Sequence, residues 1–290
     1  LQDADLIIMD EPTTSLTSHE IESVFKIMKT LRSRGVSIIF ISHKLGEVMT
    51  ICDRFTVLRD GAVSGSGAIA DVTEEDLVQL MVGRALADVH FQSHANSSEI
   101  LLEADGLSCA GSYHDVSFQV GKGEIVGFTG LAGDGRSEVF ETVFGSRAAD
   151  TGSILVNGRV ATINHPEDAT LLGIGYAPKN RKENAIIKDL SIAHNVSLAS
   201  LGALCTWGIV RRREETERVT RHVQRMSLRY SRLDDRITSL SGGNQQKAVL
   251  ARWLEADSDI IILDNPTQGI DVGAKAEIYE ILAELAGQGK

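Results

Sequence analysis

Two similar motifs stand near opposite ends of the chain, and their last residues differ in the chemistry they can perform. An apolar, isoleucine-rich run leads to Asp10 and Glu11 in the first copy and to Asp264 and Asn265 in the second. Such a run predicts a buried parallel strand, and open α/β sheets bind ligands at the carboxyl ends of these strands. Glu11 can accept a proton, whereas the amide of Asn265 cannot. The motifs therefore predict two nucleotide sites of unequal competence.

A glycine-rich loop before the second motif has the spacing of a phosphate-binding loop. A strand is predicted over 124–129 and an amphipathic helix up to residue 144, with the loop between them. The loop residues assigned to cofactor binding are Gly130, Gly133, Gly135, Arg136 and Ser137. Glycines allow backbone amides to converge on a phosphate, and a helix N-terminus stabilises its charge. The Ser137 hydroxyl and the Asp264 carboxylate are candidate Mg²⁺ ligands.

Arg136 occupies the position where such loops carry lysine. Its planar guanidinium keeps the positive charge but is bulkier than an ammonium group, which predicts an altered geometry beneath the loop. We therefore expect this loop to bind nucleotide with little hydrolysis. For the loop taken alone, a strand-to-helix turn without a ligand is the alternative, because short glycine motifs also occur by chance. The later strand that ends in Asp264 favours the phosphate site.

The elements that must position these residues alternate between strands and helices. In the first part of the chain, hydrophobic spacing predicts helices over 21–34, 45–52 and 74–82 and strands over 36–41 and 54–58. Residues 88–98 lose the pattern and predict a linker between domains at 1–87 and 99–290. Strands predicted over 100–104 and 116–120 indicate an antiparallel flank. Because the motifs lie so close to both chain ends, we expect an excerpt of a longer protein.

Composition narrows the possible classes of protein. With 42% hydrophobic and 24% charged residues, and no uninterrupted apolar stretch of about 18 residues, the chain predicts a soluble α/β protein that contacts a membrane only through a partner. A net charge of −11 argues against coating nucleic acid, and the arginine triplet 211–213 predicts a solvated helix face. Cys52, Cys109 and Cys205 lack metal-ligand or redox spacing, and we expect them to be buried in a reducing compartment.

A third motif carries a family resemblance. Ser241, Gly242 and Gly243 are followed by Asn-Gln-Gln-Lys and begin a predicted helix that runs to residue 254, shortly before the Asp264 strand. This resembles the signature motif of ATP-binding-cassette (ABC) ATPases, and the order of loop, signature and aspartate strand is theirs. The stretch 244–247, the arginine-bearing loop and the run 271–275 resemble the second cassette of tandem-cassette monosaccharide importers for ribose, galactose or xylose.

The resemblance implies the fold of P-loop NTPase ABC nucleotide-binding domains, which is α/β with a central mostly parallel sheet, an antiparallel flank and a helical subdomain. Helices predicted over 191–201 and 214–226 would belong to that subdomain. In this family two cassettes associate head to tail, and each ATP lies between the phosphate-binding loop of one and the signature of the other. Residues 176–182 stand where the family has its Q-loop, with Lys179 at the glutamine position.

The resemblance also implies roles at the first site. Asp10 would bind Mg²⁺, Glu11 would act as general base toward the attacking water, and His43 would contact the γ-phosphate of ATP. The signature residues 241–243 of the second cassette would close this site and stabilise the terminal phosphate. The phosphate-binding loop of this site is expected before Leu1.

The other site would combine the loop 130–137 with Asp264. Because Asn265 lacks a basic group and Arg136 perturbs the loop, we expect it to hold nucleotide with little turnover. Its signature is expected before Leu1, and its switch histidine after Lys290.

These features predict the ATP-hydrolysing subunit of a monosaccharide importer with ATP and Mg²⁺ as cofactors. Its partners would be membrane permease subunits and, indirectly, a periplasmic or extracellular sugar-binding protein. Nucleic acid is not expected as a partner. The protein would lie peripherally on the cytoplasmic face of the cell membrane. Two alternatives remain open. A soluble tandem-cassette factor on ribosomes or DNA would be favoured by a basic arm, and a noncatalytic fragment by the missing first loop.

Overall fold

The structure, a computed structural model, describes residues 4–13, 16–42, 44–59, 61–82, 99–131 and 133–290. The chain divides into two units, Leu1–Asp88 with Asp271–Gly273, and Val89–Ile270 with Ala274–Lys290. The predicted linker at 88–98 lies outside the described residues, so its extent stays a prediction.

The first unit contains a parallel strand pair that carries the first motif. Strand β1 (Leu6–Asp10) pairs with β2 (Ser37–Ile41), and helix α1 (Ser18–Ser33) connects them. The Thr17 side chain accepts a hydrogen bond from the Glu20 amide, and the Glu20 carboxylate accepts one from the Thr17 amide at 2.8 Å. This capping box starts the helix earlier than the predicted residue 21.

The prediction that β1 is a buried strand is wrong, since its residues alternate between exposed and half-buried positions. Leu6 and Ile8 are 51% and 64% exposed. The alternate residues of β1 are half-buried, and on the neighbouring strand β2 the ring of Phe40 meets that of Phe25 in α1 edge to face, with centroids 6.4 Å apart. Within the described first unit this strand pair is covered by a helix on one side only, so alternate side chains remain accessible.

The rest of the first unit forms a small core beneath an antiparallel hairpin. Its elements are α2 (Leu45–Ile51), β3 (Arg54–Arg59), β4 (Ala62–Ala68), a 3-10 turn (Ile69–Asp71) and α3 (Glu74–Val82). Leu45, Val57, Ile69 and Leu77 form the core. Helix α3 has the predicted bounds because the Thr73 amide donates to the Asp76 carboxylate at 2.8 Å and closes the first turn.

The second unit combines an antiparallel sheet, a parallel strand pair and a set of helices. From residue 99 onward the elements are β5 (Ile100–Cys109), β6 (Tyr113–Gly121), α4 (Arg136–Val143), β7 (Thr151–Val156), β8 (Arg159–Ala161), α5 (Pro166–Leu171), β9 (Ile174–Ala177), a π-helical turn (Arg181–Ala185), α6 (Ile192–Ser197), a 3-10 turn (Leu198–Ser200), α7 (Leu201–Leu204), β10 (Cys205–Thr206), β11 (Ile209–Val210), α8 (Arg212–Arg225), a 3-10 turn (Ile237–Ser239), α9 (Gly242–Glu255), β12 (Ile260–Leu263) and α10 (Val272–Gly287). The antiparallel flank is confirmed as a four-stranded sheet in the order β6-β5-β7-β8. Strands β9 and β12 form the parallel pair.

The strand predicted over 124–129 is wrong, because these residues adopt no regular secondary structure. A cavity of about 530 Å³ is lined by residues 124–128 and by β12. A strand requires a neighbour for its backbone N–H and C=O groups, and in the described chain β12 pairs only with β9, so this segment lacks such a neighbour. Its side chains nevertheless alternate between half-buried and exposed positions, as the apolar pattern predicts.

The helical part of the second unit packs around α9. Its core includes Val196, Val219, Val223 and Leu250, which come from α6, α8 and α9. Both predicted helices of this part are confirmed with shifted ends: the first ends at Ser197 before a 3-10 turn, and the second begins at Arg212. Buried on nearly every side, α9 forms the centre of this part.

Three expectations from composition have mixed outcomes. Among the described helices, none has the length and apolar character needed to cross a bilayer. The arginine triplet is solvated as predicted, and Arg213 forms an exposed ion pair with Glu217 at 3.0 Å. The expected burial of the three cysteines is wrong, since all three, which are free thiols, are only half-buried. Cys52 and Cys205 directly follow the ends of helices α2 and α7, and Cys109 is the last residue of β5.

Gly243 is a position where the contact between α9 and α10 excludes a side chain. A Cβ atom there would lie 2.5 Å from the Cβ of Ala274. We expect Gly243→Ala to lower the free energy of unfolding by about 1–3 kcal/mol through overpacking. In α7, by contrast, a Cβ at Gly202 would meet nothing within 4 Å. Gly202→Ala should therefore stabilise by about 0.5–1 kcal/mol, and urea unfolding of both variants would reveal opposite signs. A loss at Gly202 equal to that at Gly243 would contradict the packing argument.

Candidate nucleotide sites

The glycine loop of the second unit leads directly into the N-terminus of α4. Gly133 and Gly135 have φ values of +82° and +88°, which favour glycine. A Cβ at Gly135 would also lie 2.5 Å from the carbonyl oxygen of Ser112, so a larger residue would collide with the backbone. The loop therefore places backbone amides at a helix N-terminus, which is the arrangement that binds phosphate groups. Ala132 lies outside the described residues.

Ser137 and Asp264, the two predicted metal ligands of this unit, lie in direct contact. The Ser137 hydroxyl donates a hydrogen bond of 2.6 Å to the Asp264 carboxylate, across 127 positions of sequence. Asp264 is 8% exposed, and no lysine or arginine of the described chain forms an ion pair with it. Burial and, to a smaller extent, the Asp264 charge raise the pKa of the nearby Tyr176. A buried carboxylate beside a hydroxyl offers the oxygen donors that Mg²⁺ prefers.

An ion pair within the loop was not predicted from the sequence. The Arg136 Nε lies 2.9 Å from a carboxylate oxygen of Asp134, and the Arg136 amide donates to the same carboxylate at 3.2 Å. That carboxylate covers Gly130, where a Cβ would collide with it. The cation that replaces the usual lysine is therefore paired inside the loop, and a negative group occupies the space beside the predicted phosphate position.

Removing the Asp134 carboxylate is expected to tighten nucleotide binding to this loop. In Asp134→Ala the phosphate no longer competes with a carboxylate for Arg136, and that carboxylate no longer repels it. The affinity for ATP should therefore rise by roughly tenfold, about the value of one charge-assisted contact. Titration with a fluorescent ATP analogue measures the change. Asp234→Ala removes the same charge from an exposed position and should leave the affinity unchanged. An affinity that is unaltered or lower in Asp134→Ala would show that this carboxylate does not oppose the phosphate.

The first motif ends in an unusual backbone turn that the second motif repeats. Glu11 has a φ of +45° and Asn265 a φ of +48°. The Glu11 amide donates to the carbonyl oxygen of Ile41 at 2.9 Å, and the Asp264 amide donates to that of Ala177 at 2.9 Å. These two bonds are offset by one residue, since Asp264 aligns with Asp10, but the shared left-handed φ places the carboxylate of Glu11 and the amide of Asn265 on similar turns.

The segment after Glu11 is anchored to α2. Thr13 is buried, and its hydroxyl donates to the Glu47 carboxylate at 2.6 Å. Lys44 donates to the carbonyl oxygen of Thr13 at 2.8 Å and pairs with Glu47 at 3.2 Å. This network, which the sequence did not predict, fixes the backbone next to Asp10 and Glu11, whereas His43 lies outside the described residues and its role stays a prediction.

The signature residues form the N-terminus of α9. Ser241 is the N-cap, is exposed, and accepts a hydrogen bond from the Asn244 amide at 3.4 Å. Gly242 and Gly243 form the first turn, so their amides point out of the helix end with its positive dipole. This end can bind an anion. The contact of these residues with a nucleotide of the first unit stays a prediction.

A family comparison decides the identity of the fold. The family model of ABC transporters matches residues 113–268, which include the loop, the signature and the second aspartate motif. The chain belongs to the ABC transporter family. The predicted P-loop NTPase cassette fold, with its antiparallel flank and helical subdomain, is thereby confirmed.

Curated relatives of this cassette chain come from several bacteria. A ribose import ATP-binding protein of Halalkalibacterium halodurans is 42% identical, with 100% of this chain and 58% of the relative covered. One of Roseobacter denitrificans is also 42% identical, over 99% of this chain and 56% of the relative. The chain thus spans less than two thirds of the length of these relatives.

Solved ABC cassettes have the same fold at low sequence identity. A nucleotide-free ATP-binding cassette from an ABC transporter matches with a TM-score of 0.56 and 21% identity, covering 66% of this chain and 78% of that one. A dimeric cassette in a post-hydrolysis state bound to ADP and Pi matches with a TM-score of 0.55 and 21% identity, over 66% and 85%. Cassettes of this family bind ATP or ADP.

Proposed function

We propose that the chain is part of the ATP-hydrolysing subunit of an importer for a monosaccharide such as ribose or galactose, with one working and one degenerate nucleotide site. The observation that carries this proposal is the pair of equivalent turns that end in Glu11 and Asn265. One turn presents a carboxylate that can accept a proton from water, and the other presents an amide that cannot. Relatives named as ribose import ATP-binding proteins support the substrate class.

At the working site, Glu11 would take a proton from the water that attacks the γ-phosphate of ATP. Asp10 would bind Mg²⁺ beside it, and His43 would contact the γ-phosphate. In the head-to-tail arrangement that the family resemblance implies, Ser241 and the amides of Gly242 and Gly243 would stabilise the negative charge on the terminal phosphate. Their position at the N-terminus of a 14-residue helix supports this role.

At the degenerate site, the loop amides and Arg136 would hold the phosphates, and Asp264 and Ser137 would bind Mg²⁺. The ion supplies positive charge that neutralises the phosphate oxygens. The described residues contain no group of three or more His, Cys, Asp or Glu side chains suited to a metal, so the remaining ligands would be phosphates and water, which is usual for Mg²⁺. The Asp134–Arg136 ion pair and Asn265 both support slow turnover at this site.

The partners would be membrane permease subunits. The protein would bind them as a peripheral subunit on the cytoplasmic face of the cell membrane. A periplasmic or extracellular sugar-binding protein would deliver the sugar without touching the cassettes. Nucleic acid is not expected as a partner, because the net charge of −11 would repel a phosphate backbone.

The test is to purify the tagged full-length protein that contains this chain from membranes of its own host. We expect permease subunits to copurify, and ATP hydrolysis by the reconstituted complex to rise when a ribose- or galactose-loaded binding protein is added. Copurification with ribosomes or DNA, or a rate of ATP hydrolysis that no sugar-loaded binding protein changes, would contradict the proposal.

A further inference from the structure

Arg181 reaches from the end of the parallel strand pair to the signature motif. It is the first residue of the π-helical turn that follows β9, and it is only 8% exposed. Its Nη1 donates to the side-chain oxygen of Gln246 in α9 at 3.4 Å. A Cβ at Gly242 would lie 3.0 Å from its Nη2, so the guanidinium packs directly against the signature backbone.

The charge of Arg181 has no counterpart in the described chain. Its Nε is buried without a hydrogen-bond partner, and no described carboxylate pairs with the guanidinium. Burial lowers its pKa, which reflects the same unfavourable environment. The N-terminus of α9 beside it carries a positive dipole. The buried charge of Arg181 therefore lies against a helix end that is itself positive, an arrangement that is unfavourable unless an anion joins them.

Arg252 in the same helix provides a useful contrast. It is 7% exposed, as buried as Arg181. Its guanidinium donates to the carbonyl oxygens of Asn195 and Ala185, each at 2.7 Å. These bonds fix α9 against neighbouring segments and account for the burial of Arg252 in structural terms. No comparable set of acceptors accounts for Arg181, whose described partner is one amide oxygen at long range.

We propose that Arg181 is a positioning residue that makes the signature half-site select nucleotides by the charge of their terminal phosphate. This inference rests on the proposed function, in which residues 241–243 meet the ATP of the first cassette. Because Arg181 lies beneath Gly242, it acts through the protein interior, where a charge is screened less than in water. ATP brings a terminal phosphate to the end of α9 and satisfies both positive features, whereas ADP lacks that group.

The test compares Arg181→Met, which removes the charge, with Arg181→Lys, which keeps it, in the full-length protein. We expect Arg181→Met to raise the KM for ATP by roughly tenfold, the upper part of the range for charges at helix ends. The inhibition constant of ADP should change much less, and Arg181→Lys should restore most of the ATP affinity. Thermal unfolding is recorded for each variant.

Arg252→Met is the matched control, since it removes an equally buried arginine from α9, the helix whose first turn Arg181 contacts. It should lower the melting temperature and leave the ratio of ATP to ADP affinities unchanged. If Arg181→Met behaves in the same way, or if Arg181→Lys restores nothing, Arg181 is only structural. Should Arg181→Met fail to fold, Arg181→Gln replaces it under the same criteria. Failure of the proposed function would give a different result: ATP hydrolysis would then be the same in the unaltered protein and in Glu11→Gln.

Discussion

Glu11→Gln in the full-length protein is expected to reduce ATP turnover by roughly 10²- to 10⁴-fold, the usual contribution of a general base. The glutamine has the size and shape of the glutamate but cannot accept a proton at neutral pH. It leaves the hydrogen bond from the backbone amide of residue 11 to Ile41 in place. ATP binding should therefore persist while hydrolysis stops, which steady-state phosphate release and nucleotide trapping would record separately.

Asn265→Gln is the matched control for this experiment. It places the same side chain on the equivalent turn of the second motif, where φ is +48°. Since an amide replaces an amide, turnover should remain close to that of the unaltered protein. Equal losses from the two substitutions would mean that both sites hydrolyse ATP and that the proposed asymmetry is wrong.

Ser241→Arg is expected to cause the second large loss, and to reduce turnover far more than Arg136→Ala. Ser241 is the exposed cap of α9, and an arginine there would add bulk and remove the cap where the terminal phosphate is proposed to bind. Misplacement of reacting groups by about 1 Å can reduce a rate by roughly 10²-fold. Arg136 is already paired with Asp134 in a site without a base, so its removal should have a smaller effect.

Ser239→Arg controls for the added charge and bulk. Ser239 is exposed and lies just before the helix cap, with its hydroxyl bonded to the carbonyl oxygen of Arg236 at 2.8 Å. Its substitution should leave turnover nearly unchanged. Measurements of kcat and KM on all three variants give the ranking. If Arg136→Ala is more harmful than Ser241→Arg, the working site is the one built on the glycine loop of the second unit.

Local sequence rules predicted the elements whose ends are fixed by nearby residues. Helix α3 begins after Thr73 and α9 after Ser241, each with a side-chain cap three residues before its partner amide. The order of loop, signature and aspartate strand also predicted which residues meet, and Ser137 does contact Asp264. These features depend on short-range chemistry or on a motif order that one sequence can reveal.

Features that depend on tertiary packing could not be predicted in this way. Residues 124–129 have the composition of a strand, yet whether they pair depends on the distance to β12. Arg181 precedes Lys182 in a polar stretch that indicates solvent exposure, and only the three-dimensional fold buries it against Gly242. Asp134 likewise gives no signal of pairing with Arg136, because that contact depends on the path of the loop.

The shared turn at the two motif ends has a thermodynamic consequence. Left-handed backbone is tolerated by asparagine more readily than by glutamate, and a non-glycine residue held there can store about 1 kcal/mol or more. Asn265 therefore adopts this conformation with less strain than Glu11, whose carboxylate is proposed to act as the general base. Glu11→Asn should therefore raise the melting temperature of the first unit while it removes the proposed general base, so that stability increases and activity is lost.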